Sequence, residues 1–327
     1  MTRAAAILAA TVLSGTVAAV GCGVGPGGST EGEAGLRVTR DFGTTELVDA
    51  TLEDPNESDT VVRFLDQSAE IETSYGGNFV ESIDGLAGST VEGDPEDWFF
   101  FVNGYYSDVG AGETAVRAGD RIWWDHRRWA EAYRVPAVVG SWPEPFLNGL
   151  GGEPVGVVVE CLTDAQPDVC EEVIKRLADE GVEARLESVS APAPHPDELR
   201  VLVGAWGAIR NDPAAGQLED GPSVSGVYAD LEPCDVGYRL EILGSDAKPR
   251  EQSASSGFVA AVRNEDDQPT WLVSGTGEEM LPDAVELLDA DPLRDRYAAA
   301  TATGAEGEAA PIPASDDLPR DDEVVCG

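Results

Sequence analysis

Trp98-Phe99-Phe100-Phe101-Val102-Asn103-Gly104-Tyr105-Tyr106 is the densest aromatic stretch of the chain, and it decides the fold class. Aromatic and β-branched residues favour a pleated strand, and Asn103-Gly104 is the dipeptide that best tolerates the positive φ angles of a type I′ turn. We therefore predict a β-hairpin. Successive side chains of a strand point to opposite faces, so both faces of this strand need an apolar cover or a ligand. One face carries Trp98, Phe100 and Val102, and the other carries Phe99 and Phe101.

The residues on either side extend this hairpin into a small sheet. Downstream, Gly119-Asp120 supplies a turn before a strand predicted from Arg121 to Asp125. Upstream, residues 35–43 and 44–50 are predicted to form two strands, and residues 71–79 an exposed loop or edge. A helix is predicted from Val61 to Ser68, because its apolar residues recur at helical spacing.

Several spaced motifs in this region resemble the DUF4430 family over roughly residues 35–130. They are Trp98, Val102-Asn103-Gly104, Gly110, Val116, Gly119-Asp120 and Ile122-Trp123-Trp124, preceded by Tyr75-Gly76-Gly77-Asn78-Phe79-Val80 and Ile83-Asp84-Gly85-Leu86. That family is similar to the C-terminal domain of transcobalamin and intrinsic factor. The resemblance implies an α+β protein whose N-terminal domain, residues 35–132, is β-grasp-like.

A second domain is predicted after a proline- and glycine-punctuated linker at residues 133–154, in which Trp142 and Phe146 indicate packing rather than free movement. Residues 155–300 have the pattern of an α/β domain with a mixed sheet. Residues 301–327 are rich in acids, alanine and proline, which predicts a disordered tail. In the second domain we expect strands at 155–160, 184–189, 199–203, 227–231, 238–243, 258–263 and 270–274, with 184–189 paired to 199–203, and helices at 168–180, 278–288 and 293–300.

The charge balance excludes one class of partner. The chain has 327 residues with 21 Lys and Arg against 62 Asp and Glu, a formal net charge of −41. Such a field repels phosphate backbones, so a basic groove for nucleic acid is not expected.

The N-terminus predicts export. Residues 4–20 form an apolar run after Arg3, and Ala19-Val20-Gly21-Cys22 looks like a bacterial lipobox with a lipidated Cys22. We expect a lipoprotein signal peptide over residues 1–21 and a glycine- and serine-rich tether over 22–34. The mature protein is then extracytoplasmic and anchored to the cell membrane through Cys22.

The other four cysteines predict disulfides in such an exported protein, and four cysteines allow three pairings. Cys161 and Cys170 are close enough in sequence for a local bridge, which would leave Cys234 and Cys326 as partners. No Cys-x-x-Cys occurs, and the two histidines, His126 and His195, are far apart, so no metal site or cofactor is expected.

The candidates for chemistry each have a structural alternative. Ser274-Gly275-Thr276-Gly277 could present backbone N–H groups to an anion, but a tight strand-to-helix turn explains it without a ligand. His126 could ligate a metal or corrinoid cobalt, or be a packed histidine. Arg127 and Arg128 are expected to pair with carboxylates. No Gly-x-Ser-x-Gly occurs, so we expect no enzymatic activity.

Binding is the function that the sequence favours. Tyr75, Phe79, Tyr105 and Tyr106 are the aromatic residues predicted to form a rim that stacks on a flat, largely apolar ligand. The resemblance implies capture of a cobalamin-like corrinoid for an uptake transporter, such as one of the energy-coupling-factor type. The alternative is a non-enzymatic adaptor at the cell surface that binds other proteins. Exposure of the four aromatic residues on a concave surface would favour ligand binding.

Overall fold

The computed structural model describes residues 31–91, 93–162, 166–193, 195, 197–235, 237–263, 268–301, 309–320 and 326. Residues 31–128 are called the N-terminal lobe, 129–154 the connecting segment and 155–320 the C-terminal lobe. The predicted signal peptide and Cys22 lie outside the described residues. Within these ranges, no helix combines the length and apolar character needed to cross a membrane.

The described part of the N-terminal lobe consists of a main sheet, a small three-stranded sheet and one α-helix, α1 (Val61–Ser68), which lies where the helical spacing predicts it. Its strands are β1 (Glu33–Arg40), β2 (Thr45–Glu53), β3 (Ile71–Ser74), β4 (Phe79–Ile83), β5 (Leu86–Ala87), β6 (Ser89–Val91), β7 (Asp94–Val102), β8 (Tyr105–Tyr106) and β9 (Arg121–Arg128), with a 3₁₀ turn at Tyr75–Gly77.

The main sheet of this lobe has the order β2-β1-β9-β7-β6, with β1 and β9 parallel at its centre. The β7–β8 hairpin turns at Asn103 and Gly104, whose φ angles are 53° and 79°, so the predicted type I′ turn is confirmed. Helix α1 buries Val61, Phe64 and Leu65 against one face of the sheet. A helix packed across a sheet with a central parallel pair is the predicted β-grasp-like arrangement.

The C-terminal lobe begins with a strand–helix–strand unit, and its elements were largely predicted. They are β10 (Val157–Cys161), α2 (Pro167–Asp179), β11 (Ala184–Ser188), β12 (Leu199–Ala205), α3 (Trp206–Ile209), α4 (Pro222–Ser225), β13 (Ala229–Pro233), β14 (Tyr238–Leu243), β15 (Pro249–Ser253), β16 (Gly257–Val262), β17 (Thr270–Gly275), α5 (Leu281–Glu286), α6 (Ala290–Leu293), β18 (Ala298–Thr301) and β19 (Ala309–Ile312), with 3₁₀ turns at Ala215–Asp220 and Glu278–Met280.

The large sheet of this lobe has the order β11-β10-β12-β17-β16-β18-β19. Strands β11, β10, β12 and β17 are parallel and the others antiparallel, so the sheet is mixed, as predicted. The predicted pairing of β11 with β12 is wrong, because β10 lies between them. Strand β10 is fully buried, as its apolar run requires, and a central position covers both of its faces.

Two further predictions about this lobe are wrong. Residues 298–301 form strand β18 and not the end of a helix. Ala299 and Ala300 pair with the buried strand β16, and their side chains are small enough to be buried there. Residues 309–312 form strand β19 beside β18 and not part of a disordered tail. The sheet edge supplies backbone hydrogen bonds that compensate for the low apolar content of this segment.

Disulfides join Cys161 to Cys170 and Cys234 to Cys326, with Cα–Cα distances of 6.0 and 5.6 Å. The local bridge connects the end of β10 to the first turn of α2. The long-range bridge ties Cys326 to the turn after β13. Such bridges are characteristic of proteins folded in an oxidising compartment.

The connecting segment joins the two lobes into one core. Val138 donates a backbone hydrogen bond to Gly104 in the hairpin turn, at 2.9 Å, and Val139 donates one to Tyr297 of the C-terminal lobe, at 3.3 Å. A Cβ atom at Gly104 would lie 2.8 Å from the Val138 carbonyl oxygen, so the approach requires glycine. Trp142 and Phe146 are buried, which confirms that this segment is packed.

Candidate functional site

An open aromatic cavity lies at the edge of strand β7 in the N-terminal lobe. Its volume is about 230 Å³. Its aromatic lining consists of Phe79, Trp98, Phe99, Phe100, Tyr106, Trp124, Trp129 and Tyr133. We call this feature the aromatic cavity.

The cavity exists because the edge of β7 is only partly covered. Strand β6 pairs with residues 94–96 and strand β8 with Phe101 and Val102, so in the described part of the chain no strand pairs with residues 97–100 along this edge. Asp97 Oδ1 accepts the Trp98 backbone N–H at 2.8 Å, which satisfies one edge donor. The gap leaves the rings around it open to solvent on one side.

The rings pack in pairs around this gap. Phe100 stacks on Trp124 with ring centroids 4.7 Å apart, and Trp129 meets Tyr133 edge to face at 5.5 Å. Trp124 is buried, and its indole N–H has no hydrogen-bond acceptor among the described residues. The lining is therefore rigid and aromatic, with one unsatisfied donor beside it.

The rim of the cavity is apolar and exposed. Phe79, Val109 and Tyr133 are 42%, 49% and 63% exposed. The polar groups nearby already have partners: Asp108 accepts a hydrogen bond from Arg134 at 2.8 Å, and Asn78 donates one to Glu113 at 2.7 Å. Exposed apolar side chains around a concave surface are typical of a binding site.

Comparison with known proteins identifies the region that contains most of this cavity. Residues 58–128 match the DUF4430 family. The family is described as a domain of unknown function, so the match supports the predicted domain without assigning an activity. A solved structure from Ruminococcus gnavus ATCC 29149, described as "a putative metal binding protein", is 16% identical, covers 30% of this chain and 99% of its own, and has a TM-score of 0.24. Among curated proteins, no match was found.

The four predicted rim residues do not lie together. Phe79 and Tyr106 line the aromatic cavity of the DUF4430 region, whereas Tyr75 is 86% exposed outside it. Tyr105 is not at a rim: it is buried between the lobes, and its hydroxyl donates to Gln268 at 2.7 Å. Burial raises the pKa of Tyr105. Neighbouring strand residues face opposite ways, which is why Tyr105 and Tyr106 separate.

Trp129 and Tyr133 are members of the site that the sequence does not predict. Both follow β9 in the connecting segment, where their spacing indicates no strand or helix. The available signal is that Trp129 and Tyr133 are four residues apart and follow a strand rich in aromatic residues. This spacing does not show which surface the two rings cover. Only the tertiary path of the segment brings them opposite Phe79.

The basic patch at the end of β9 matches the prediction only in part. Arg128 pairs with Glu96 at 3.4 Å, as expected, but Arg127 is buried and pairs with no carboxylate among the described residues. It donates to the carbonyl oxygens of Arg128, Ala132 and Tyr133 and lies 4.0 Å from the Phe99 ring centroid. Arg127 therefore fastens the connecting segment to the sheet.

His126 and the glycine-rich turn are structural. His126 is buried against Trp98, with ring centroids 5.0 Å apart, and its Nε2 lies 3.2 Å from the Ala87 carbonyl oxygen, which fits a packed histidine. Ser274 Oγ donates to the Gly204 carbonyl oxygen at 2.8 Å, and Thr276 is hydrogen-bonded to Ser256. These contacts fit the tight-turn interpretation.

A larger cavity, the junction cleft, lies between β1 and the connecting segment and has a volume of about 500 Å³. It is lined mainly by charged and small side chains. Burial raises the pKa of Asp120 and that of Glu144, although Asn103 and Asn148 donate hydrogen bonds to their carboxylates. Across the cleft Arg37 pairs with Asp295. Arg37, Asp120 and Glu144 thus already have hydrogen-bond or ion-pair partners, so they offer fewer open contacts to a ligand.

Proposed function

We propose that this protein is an extracytoplasmic binding protein that holds a flat, largely apolar ring system in the aromatic cavity. The observation that carries the proposal is a concave aromatic lining with an exposed apolar rim at an uncovered strand edge. Aromatic side chains give a large contact area at a small cost in conformational entropy, which suits stacking on a planar ligand.

The volume limits the ligand. A cavity of about 230 Å³ fits one compact ring system and cannot enclose a corrin macrocycle with its side chains. A cobalamin-like corrinoid, the ligand that the family resemblance implies, would therefore be contacted along one edge or face.

The proposed role is binding without catalysis. The carboxylates at the cavity are engaged, since Asp97 accepts the Trp98 N–H and Asp108 pairs with Arg134. We further propose that Cys22 carries a lipid that anchors the protein to the outer face of the cell membrane, where it would pass its ligand to an uptake transporter. Mass spectrometry of the membrane-extracted protein, with Cys22→Ser as control, tests the anchor.

The binding test is a titration of the full chain with cobalamin, cobinamide and a free planar ring compound such as adenine, followed by tryptophan fluorescence and calorimetry. Three tryptophans line the cavity, so saturable quenching is expected: Trp98, Trp124 and Trp129. Tyr106→Ala should weaken binding, whereas Tyr75→Ala, an exposed tyrosine outside the cavity, should not. Equal binding by both variants, or none by the parent protein, would contradict the proposed site.

A surface adaptor is the second candidate, and the uncovered edge of β7 favours it. An extended peptide could add as a strand beside residues 97–100 and place an apolar side chain in the cavity. The edge is short, and the Asp97 side chain already occupies one of its donors. Protection of the Phe100 amide from hydrogen exchange by a bound peptide, but not by a ring compound, would favour this candidate.

A further inference from the structure

The large sheet of the C-terminal lobe brings together three side chains that suit a metal ion. Glu160 on β10 and Glu187 on β11 are register partners in a parallel pair, and both lie near the carboxyl ends of their strands. His195 follows in the segment that leads to β12. One oxygen of each carboxylate and one ring nitrogen of the histidine all lie within 4.8 Å of one another.

The distances match the needs of a small cation. His195 Nε2 lies 3.3 Å from Glu160 Oε1 and 3.8 Å from Glu187 Oε2. Ligand atoms arranged tetrahedrally about 2.0–2.1 Å from a zinc ion are about 3.3 Å apart. The distance from His195 to Glu160 already has this value, and the other separations, all within 4.8 Å, would shorten when an ion binds.

The hydrogen bonding of the His195 ring is a second observation that favours a metal ligand. Its Nε2 atom is buried and makes no hydrogen bond among the described residues, although it faces two carboxylates. Its Nδ1 atom lies 3.2 Å from Glu198 Oε2 and 3.4 Å from a guanidinium nitrogen of Arg185, so the shorter contact is the one to the carboxylate. If Nδ1–H donates to that carboxylate, the lone pair of Nε2 points toward Glu160 and Glu187. A carboxylate that orients a histidine in this way is the usual outer partner of a metal ligand.

The surrounding arginines bind one carboxylate oxygen of each glutamate and leave the other oxygen for the ion. Arg200 donates to Glu160 Oε2 at 3.2 Å, and Arg185 pairs with Glu187 Oε1 and with Glu198. The oxygens that face His195 Nε2 are Glu160 Oε1, which also accepts the Ala193 N–H at 3.0 Å, and Glu187 Oε2. Glu160 is completely buried and therefore fixed, while the other two ligands are partly exposed and give an ion access.

We propose that Glu160, Glu187 and His195 bind one divalent transition-metal ion, with Zn²⁺ as the best fit. One nitrogen and two carboxylate oxygens suit Zn²⁺ or Mn²⁺, whereas Ca²⁺ takes six to eight oxygen ligands. Three protein ligands leave a coordination position for water or for a ligand's own donor atom. The site lies in the C-terminal lobe, outside the DUF4430 match, and is independent of the aromatic cavity.

The chain has only two histidines, which gives the test a built-in control. After treatment with a chelator, the full chain is titrated with Zn²⁺ and, separately, with Mn²⁺ while the histidine ring proton signals are followed by NMR. One equivalent of Zn²⁺ should shift the His195 signals, and Mn²⁺ should broaden them. The buried His126 signals should stay unchanged.

Calorimetry with variants decides whether binding is specific in so acidic a chain. Glu187→Gln and His195→Asn should each lower Zn²⁺ affinity at least about tenfold, while Glu171→Gln, an exposed acid on α2, should leave it unchanged. Glu198→Gln should lower it less than either ligand variant. If His195 does not respond to one equivalent of metal, or if Glu187→Gln binds as tightly as the parent, the three side chains are an ion-pair cluster and the proposal is wrong.

Discussion

Two groups of aromatic side chains flank strands β7 and β9, and they differ in what covers them. The junction cluster, Phe42, Phe101, Trp123 and Tyr297, is closed between the lobes, with ring centroids 5.1–5.7 Å apart. The aromatic cavity lies at the edge of β7 and remains open, with Tyr133 63% exposed at its rim. The same local composition therefore supplies both a core and a candidate binding surface.

The difference comes from residues far away in the chain. Tyr297, which precedes β18, fills the space above Phe101 and donates its hydroxyl hydrogen to Asp125 Oδ2 at 2.9 Å. No comparable side chain reaches the edge of β7 among the described residues. A sequence dense in aromatic residues thus predicts that these side chains must be buried or must bind something. Which of them are buried depends on the residues that the C-terminal lobe packs against them.

The largest expected effect is the loss of the ring that closes the junction cluster. Tyr297→Ala removes a buried ring and leaves Asp125 without one of its donors, so we expect the free energy of unfolding to fall by about 3–5 kcal/mol. Urea unfolding measures this loss. Tyr297→Phe keeps the ring and should lose only about 1–3 kcal/mol. A loss below about 1 kcal/mol for Tyr297→Ala would show that the lobes are stable without this contact.

The second prediction concerns pH at the same junction. Burial raises the pKa of Asp125 from its ordinary value of 3.8 to about 6, although Thr39, Gly43 and Tyr297 donate hydrogen bonds to it. A carboxyl with a raised pKa in the folded state stabilises the fold when protonated, so this contribution is present below about pH 4 and is lost as pH rises to about 6. A shift of this size corresponds to about 3 kcal/mol.

Paired unfolding measurements between pH 4 and 7 test that contribution. The stability of the parent minus that of Asp125→Asn should fall as pH rises through this window, because asparagine does not titrate. Asp41→Asn, at an exposed neighbouring position, is the control for the loss of an aspartate charge elsewhere. A flat difference for Asp125→Asn would mean that the junction stabilises the charged and neutral carboxyl equally.

The sequence predicted the strands and the turn around both aromatic groups but not their separation. Asn103-Gly104 and the helical spacing of residues 61–68 are local signals, and the structure confirms them. The burial of Tyr105 depends on the path of the connecting segment, and strand β18 depends on pairing with β16. Neither is encoded in a local pattern, since alanine-rich segments favour helices when they stand alone.

The residues of the candidate sites were also predictable only in part from the sequence. Phe79 and Tyr106 were identified from composition and resemblance, but Trp129 and Tyr133 reach the cavity only through the fold. The three proposed metal ligands are on separate segments, and the parallel register of β10 and β11 brings Glu160 beside Glu187. Spacing rules for metal motifs detect ligands that share one segment, so they do not detect this set.

Tyr105 and Tyr106 provide a sharper test of the division between the junction and the cavity. Tyr105→Phe removes the hydroxyl that donates to Gln268, so we expect a loss of about 0.5–1.5 kcal/mol in unfolding free energy and no change in ligand binding. Thermal unfolding and the fluorescence titration measure the two quantities on one sample. A change in ligand affinity without a change in stability would place Tyr105 in the binding site instead.

The smallest expected effect on stability is at the rim. Tyr133→Ala should change the free energy of unfolding by less than about 0.5 kcal/mol, because the side chain is 63% exposed. It should nevertheless weaken a stacking ligand by about 0.5–1.5 kcal/mol, or roughly two- to tenfold, since it removes one aromatic contact. The fluorescence titration measures the affinity, with Tyr75→Ala as the control for an exposed tyrosine elsewhere. If Tyr133→Ala instead destabilised the protein as Tyr297→Ala should, the aromatic cavity would be part of the core, and the contrast between the two aromatic groups would not hold.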